Sequence, residues 1–588
     1  MTFTFEHADS VSQQVQRVLE ALQAGAAPRD IERAQVDIKE EPGRRGPAGV
    51  VLAGRTENDG AARYLAGELA CLANTPGGGA LVVGVADDGT RIGTELSADW
   101  LRHRIWELTT RQLTISAQMV QCSGVRLLVL VAPEAIEPIR YAGRLRWRLD
   151  DHCVDMDPTS WHVEARRRAG IDWSAEPSEH TLDDVSAVAA EIARRYLRAA
   201  SNAGDDAAAE LAEATIADLL RRLHVIDGRG RLSNAGSLLF VRTPDIGIDY
   251  LRREVAGGDS ITRVRSNRAL LEQVAEVEMA TDVTNRIVHV GGSFAHGLLR
   301  AIPQRALREA VINGIVHRDW LSRQPTLVDH IGDRLTVTSP GGFIGGIAAA
   351  NIITHPAVPR YRSLAEAVAS LRLAEREGIG IDRIVRDLLA RGHRAPDIAE
   401  IAGPYVRITL AGGDPDATVM ALLSSLQPPA AASDVDMLLV IGHLLQTGWI
   451  DVEHAAPVIQ RSRVETEEAM SRIAAVTVDG DPVVVPINGV PAGAPVAYRF
   501  SERARTVLDT KMAHLATPDG RRAMIVSWAH ARSRVSSTEV ADFTGLSVPY
   551  AGTLLKALAD ECLLRPSRAN RMGRGFYYLP VRDHDDHT

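Results

Sequence analysis

In the stretch REAVINGIVHRDW (308–320), three polar residues, Glu309, Asn313 and His317, recur at four-residue spacing. On a helix that spacing stacks a carboxylate, an amide and an imidazole along one face. An asparagine so placed can put its carbonyl oxygen on Mg2+, and a glutamate one turn earlier can orient a water molecule. The parallel apolar stripe Leu307, Val311 and Ile315 is enough to hold the helix against a core.

Two glycine clusters follow. SPGG (339–342) closes a strand that the alternation of VDHIGDRLTVTSPGG predicts, and EGIGIDRIV (377–385) leads into a new helix. Backbone N–H groups at such a helix start suit phosphate oxygens, and glycine lets the backbone approach closely. Gly341, Gly342, Gly378 and Gly380 are therefore candidate phosphate contacts. Nearer the N-terminus, QVDIKEE predicts a strand with Asp37 and Lys39 on one face, where carboxylate and ammonium meet the same phosphate. In LANTPGGGALVVGV, Gly77–Gly79 allow a tight helix-to-strand turn, and Leu81, Val83 and Val85 alternate into a core. Asp87-Asp88-Gly89 then makes a hairpin turn.

The tail reads as three helices and a basic hairpin. AMIVSWAHAR is apolar, SSTEVADFTGL opens with capping hydroxyls, and SVPYAGTLLKALADECLL carries Pro549 in its first turn. RPSRANRMGRGFYYLP follows. Residues 521–580 hold nine Lys/Arg against four Asp/Glu, a local +5 in a chain of net charge −9. DNA contact should therefore concentrate at this end. Ser547, Tyr550, Thr553 and Lys556 on the third helix are candidate base contacts. Arg568, Arg571 and Arg574 on the hairpin are candidate phosphate or minor-groove contacts, with Phe576 and Tyr578 anchoring the hairpin to the core.

A chain of 588 residues is too long for one core and divides into several domains. The expected divisions are 1–171, 185–410 (a helical connector leading into the Asn313 region), 435–512 and 521–580. HLATPDGRR (514–522) is the seam in the tail. Four scattered cysteines, with no CxxC spacing, read as reduced cytosolic thiols. No signal peptide and no apolar run of about 18 residues is present, which excludes a membrane span and implies a cytoplasmic protein.

The ordered set REAVINGIVHRDW, DRLTVTSPGG, HPAVPRYRSLAEAV and EGIGIDRI resembles the ATPase-type domain of bacterial regulators related to the C-terminal region of RecG. The Glu309–Asn313–His317 stripe resembles the N-box of the GHKL class, to which gyrase, Hsp90 and histidine kinases belong. That resemblance implies ATP with Mg2+ on Asn313, Glu309 as the residue positioning the attacking water, and a divergent α/β sandwich. Nucleotide-binding relatives carry Asp-x-Gly-x-Gly where this chain has Ser339-Pro340-Gly341-Gly342, and Pro-Arg-Asn-Pro where it has PRYRS. ERAQVDIKEE with LANTPGGGALVVGVADDGTRIG resembles the Schlafen/AlbA-like domain. Nuclease members hold Mg2+ or Mn2+ on three acids, which map here to Glu32, Asp37 and Asp87, with Lys39 beside them. The tail resembles a winged helix, and 436–509 a degenerate second copy.

The fold class expected is α+β multidomain: a Schlafen/AlbA-like α/β domain, a divergent GHKL ATPase-like sandwich and C-terminal winged helices. The function expected is a bacterial transcriptional regulator, a homodimer or higher oligomer that binds double-stranded DNA through its last module. Its two N-terminal domains would sense a nucleotide or nucleic-acid signal. A metal-dependent nuclease, in phage defence, and a non-catalytic oligomeric scaffold are the rival readings.

Overall fold

The computed structural model describes residues 9–26, 28–31, 35–45, 50–149, 152–158, 161–162, 165, 172–243, 245–292, 295–374, 380–401, 404–491, 493–568 and 576–581. It is a mixed α/β, multidomain chain in two compact units: Met1–Asp172 with Gly342–Gly346, and Trp173–Gly341 with Ile347–Thr588. Among the described residues no helix is long and apolar enough to cross a membrane.

In the first unit helix α1 (Asp9–Gln23) precedes strand β1 (Val36–Lys39), helix α2 (Asp59–Asn74), β2 (Gly79–Val83), helix α3 (Ala98–Leu108), β3 (Ser116–Cys122) and β4 (Val125–Ala132). The sheet order is β1-β2-β4-β3, with β1 and β2 parallel. A second small sheet, β5 (Arg140–Tyr141), β6 (Arg144–Leu149) and β7 (His152–Asp155), follows. The sequence suggests one apolar face on β2, but every residue from Gly79 to Val83 is buried. Leu81 and Val83 meet Leu65, Leu69 and Leu101, whereas Ala80 and Val82 share a separate cluster with Val11, Val15 and Leu22 of α1. A strand covered on both faces is continuously apolar, and GALVV is.

The cysteine expectation needs correction. Cys71 of α2 and Cys153 of β7 form a disulfide, leaving Cys122 buried and Cys562 exposed as free thiols.

The second unit is built on a six-stranded sheet. Its strands are β8 (Ile248–Arg253), β9 (Thr262–Arg265), β10 (Thr326–Ile331), β11 (Arg334–Pro340), β12 (Asp397–Ile401) and β13 (Tyr405–Ala411), ordered β9-β8-β10-β11-β13-β12. Only the β8–β10 pair is parallel. Tyr250, Val328, Leu335 and Val337 share one face and pack under α4 (Leu270–Thr284) and α5 (Gln304–Val316). Helix α6 (Gly380–Leu389) also lies against α5. At Gly314 a β-carbon would lie 2.6 Å from a Val337 methyl, so glycine is what lets α5 lie down on β11.

The tail repeats one arrangement twice. In the first module α7 (Val435–Thr447), β14 (Ile450–Asp451), α8 (Val452–Ile459), α9 (Arg463–Ala474), β15 (Val484–Pro486) and β16 (Ala497–Phe500) follow one another, with sheet order β14-β16-β15. The last module has α10 (Pro518–Arg532), α11 (Ser537–Thr544), α12 (Val548–Asp560), β17 (Leu564–Pro566) and β18 (Tyr578–Pro580). Val535 bridges Tyr578, taking the place of the first strand. The anchoring expected of Tyr578 and Phe576 is present: Tyr578 is buried and Phe576 stacks edge-on against it at 5.0 Å.

The modules share a core. Trp449, Ile487 and Ala497 of the first pack with Trp528, Phe543 and Leu555 of the last, and the two tryptophan rings meet edge-on at 5.0 Å. Asp451 pairs with Arg532 at 2.7 Å, and Asp542 receives Arg499 at 2.7 Å.

Candidate functional site

Helix α5 carries Glu309 and Asn313, but it ends at Val316. His317 is its C-cap, with its backbone N–H on the Asn313 carbonyl. The helix therefore presents two of the three polar groups, and the third sits where the chain turns out. The His317 ring is open to solvent at its own surface, yet surrounding protein is dense enough to matter. Desolvation, and after it the Arg360 guanidinium, holds its pKa down to about 4. That leaves the ring neutral near pH 7.

The turn after α5 is fixed by buried groups that the sequence reading passed over. Arg318 donates to the carbonyls of Gly247, Ser322 and Gln324 and lies over the Trp320 ring at 4.2 Å. Asp319 accepts from the Tyr361 hydroxyl at 3.0 Å and donates its own N–H to Pro340. Arg360 Nε donates to the His317 carbonyl. Thus RYR (360–362) closes over HRD (317–319), a pairing that the PRYRS motif alone does not announce. Gly341, at φ +95, sits between them: a β-carbon there would lie 2.9 Å from Arg360 Nη2 and 3.0 Å from Asp319 Cβ. Ser339 donates its hydroxyl to the Gly314 carbonyl at 2.7 Å. Its O–H is thereby committed to α5.

Gly380 is the first residue of α6, and a β-carbon on it would collide with Glu309 Oε1 and come 3.2 Å from Asn313 Nδ2. A buried carboxylate and a half-buried amide thus lie against a helix start, where the unsatisfied N–H groups and the helix dipole favour negative charge. Among the described residues the Asn313 side chain makes no hydrogen bond. Gly378 lies outside the described residues, and Gly342 belongs to the other unit.

In the first unit Asp37 is wholly buried, with its hydrogen bonds on Oδ1 and an ion-pair contact without a hydrogen bond on Oδ2. Arg148 grips both carboxylate oxygens, Nη1 at 2.9 Å from Oδ2 and Nη2 donating to Oδ1 at 3.1 Å. Lys39 Nζ and the Ile38 N–H also donate to Oδ1, each at 3.0 Å. Arg148 is fixed in turn, its N–H on Thr75 Oγ1 and its strand position opposite Cys153. Asp87 is exposed in its turn, and the turn's own hydrogen bond is made by Asp88, which accepts from Thr90 N–H. Asp37, Lys39 and Asp87 do share a neighbourhood: all act on the Tyr64 hydroxyl, whose pKa is raised by burial first and by Glu68 next. Glu32 lies outside the described residues, and among the described residues no three acids, histidines or cysteines group as a metal site.

Ser547, the N-cap of α12, and Tyr550, Thr553 and Lys556 on it are all exposed, while Ala551, Leu555 and Leu558 are buried. Arg568 is exposed, while Arg571 and Arg574 lie outside the described residues.

Residues 32–157 match the Schlafen, AlbA_2 family. Residues 325–410 match the family described as the C-terminal region of the ATP-dependent DNA helicase RecG, HATPase_c_4. Residues 417–509 match a family of unknown function, DUF5635. No curated protein matches the chain. The crystal structure of the DIP2311 protein from Corynebacterium diphtheriae is 32% identical over 97% of this chain and 99% of that one, with a TM-score of 0.60. The chain belongs to the DIP2311 family.

In this DIP2311-family member the ATPase-like match begins after α5, so Glu309 and Asn313 stand just outside it while Ser339, Gly341 and Gly380 stand within. The DUF5635 match spans most of the first tail module and stops before α10. Arg148 was missed by sequence reading. The signal available was RLRWRL, whose arginines alternate with apolar residues on one strand, and only the pairing with Asp37 shows which of them is buried.

Proposed function

We propose that the protein is a DNA-binding transcriptional regulator that grips duplex DNA through its last module, a winged helix, and takes Mg2+ and ATP as signal at the α5–α6 site. The observation that carries the DNA reading is the exposed row Ser547, Tyr550, Thr553 and Lys556 on α12, with Arg568 on the following strand end. A helix anchored by Ala551 and Leu555 can lay that row in a major groove. The equivalent helix of the first module, α9, exposes Glu465, Glu467 and Glu468, which repel phosphate, so DNA belongs to the last module.

Replacing Arg568, Arg571 and Arg574 together by Ala should flatten the slope of log affinity against log salt by up to roughly 2.7, at about 0.9 per phosphate contact. All sequences should weaken alike, whereas Tyr550→Ala or Lys556→Ala should alter discrimination between sites by about 1–3 kcal/mol. Binding curves over a salt series measure both. An unchanged slope in the triple variant would turn the module into a protein-pairing surface instead.

The ATP reading rests on the Asn313 amide, which makes no hydrogen bond among the described residues, beside the glycine start of α6. Asn313 would hold Mg2+, Gly380 and Gly341 would let backbone approach the phosphates, and Glu309 would orient water. The bound group would supply the charge and, where cleaved, the phosphoryl bond. Asn313→Ala should abolish Mg2+-dependent ATP binding, and Glu309→Ala should mainly impair any hydrolysis. Calorimetry on the unaltered protein showing no nucleotide affinity sinks this half of the proposal.

The Schlafen/AlbA-like domain is compatible with nucleic-acid association. The rival nuclease reading needs Asp37 to exchange Arg148 and Lys39 for a metal ion, which favours a sensing domain over a cutting one. Assembly as a homodimer would present two winged helices to two half-sites.

A further inference from the structure

Two elements tie the domain of the six-stranded sheet to the first tail module, one at its helix α7 and one at its helix–turn–helix. The first is α6. At its start Gly380 abuts Glu309 and Asn313. Along its length Ile384 and Leu388 lie in the core of the six-stranded sheet, while Val385 and Leu389 lie in the core of the first tail module with Val419, Met437 and Leu438. Ile381 packs against both cores. One ten-residue helix is therefore built into two domains at once.

The second is the loop of residues 347–356, which comes after the Gly341 strand end in the chain and meets the tail at Gln460. Gln460 is the left-handed C-cap of α8 (φ 55), in the three-residue turn before α9. Its Nε2 donates to the Ala349 carbonyl at 2.9 Å, and its Oε1 accepts the Ile353 N–H at 2.8 Å. Its backbone carbonyl accepts the Thr354 hydroxyl at 2.8 Å. Ile353 packs against the first module's core at the same place. The next turn residue, Arg461, donates Nε to both oxygens of the buried Asp436 of α7, which Arg472 of α9 also reaches. The turn is thus tied to the loop on one side and to its own module's core on the other.

We propose that Gln460 is a latch through which occupancy of the Glu309–Asn313 site is passed to the first helix–turn–helix. This rests on the nucleotide reading of that site. In the form described, Gly380 is closed against the Glu309 carboxylate. Phosphate oxygens at the helix start bring negative charge to the place that carboxylate holds, so their binding draws α6 away from it. Because Val385 and Leu389 belong to the tail core, α6 cannot shift without the first module, and the loop held by Gln460 must shift or let go with it. A ligand biases such an element only by binding its two positions unequally, and effects of about 5- to 150-fold are usual for coupled sites.

The test uses the full chain with Mg2+ and a non-hydrolysable ATP analogue, reading affinity by calorimetry and amide hydrogen exchange across 452–474. In the unaltered protein, nucleotide should change exchange at 460–474 by about fivefold or more. Gln460→Asn keeps a residue tolerant of the left-handed backbone but shortens the arm, and Thr354→Val removes the second tie independently. Both should keep nucleotide binding, with affinity changed by no more than the coupling removed, and reduce the exchange response to under about twofold, below the usual span of coupling. Thermal unfolding checks that each variant is folded. A response of full size in both variants, or tight nucleotide binding with no response in the unaltered protein, overturns the latch while leaving the nucleotide site standing. No nucleotide binding in the unaltered protein overturns both.

Discussion

Arg148→Met should loosen the N-terminal unit by about 3 kcal/mol, near the lower end of the cost of breaking a buried ion pair. The lower end applies because Asp37 would keep Lys39 and the Ile38 N–H on Oδ1, while Oδ2 would lose its Arg148 contact. A carboxylate with no exposure cannot recruit water to replace a guanidinium without opening the sheet. Hydrogen exchange should show it as lost protection along Val36–Lys39 and Arg144–Leu149. Asp37→Asn added to Arg148→Met should restore most of the loss, because the buried charge goes with its partner. Full protection in Arg148→Met alone would mean that the pair carries no stability, and would leave Asp37 open to a metal ion after all.

Gly380→Ala should be destabilising, against the usual trend. Exchange of glycine for alanine in a helix commonly gains up to about 1 kcal/mol. Here the added carbon collides with Glu309 Oε1 and crowds Asn313 Nδ2, so a loss of about 1–3 kcal/mol is expected, as for other overpacked sites. Nucleotide affinity should fall with it, since the helix start is held off from the Asn313 amide. Glu309→Ala clears the obstacle, so the double variant should be more stable than Gly380→Ala alone, a non-additivity of about 0.5–3 kcal/mol. Denaturant unfolding of the four proteins gives this coupling directly. Additive effects would show that α6 does not rest on Glu309.

The parts of this protein that could be read from sequence are those governed by local period. Leu307, Val311 and Ile315 specify the buried side of α5 because 3.6 residues make a turn, and the exposed row on α12 follows from Ala551, Leu555 and Leu558 by the same rule. The helix end at Val316 was not legible, since the register that stacks His317 under Asn313 holds only while the helix lasts. What fixes the site comes from far along the chain. Tyr361 reaches Asp319 across 42 residues, Arg148 reaches Asp37 across 111, and Cys153 meets Cys71 across 82. No spacing rule connects such partners. GALVV misled for a different reason: alternate residues on a strand identify its two faces without saying whether the second is covered, and here α1 covers it.

The seam at 514–522 looks from composition like a place where the chain could be cut and each half kept. The interlocked tryptophans argue otherwise. With Trp449 and Trp528 in one cluster and an ion pair on either side, the first module owns part of the last module's interior. Truncation before Pro518 would lay bare an indole, and transplanting the last module alone would carry away an unfinished interior. The inheritable unit is then the pair, and the distance between its two third helices is set by side chains rather than by the length of the connector. Replacing either tryptophan by a small residue should unsettle both modules at once.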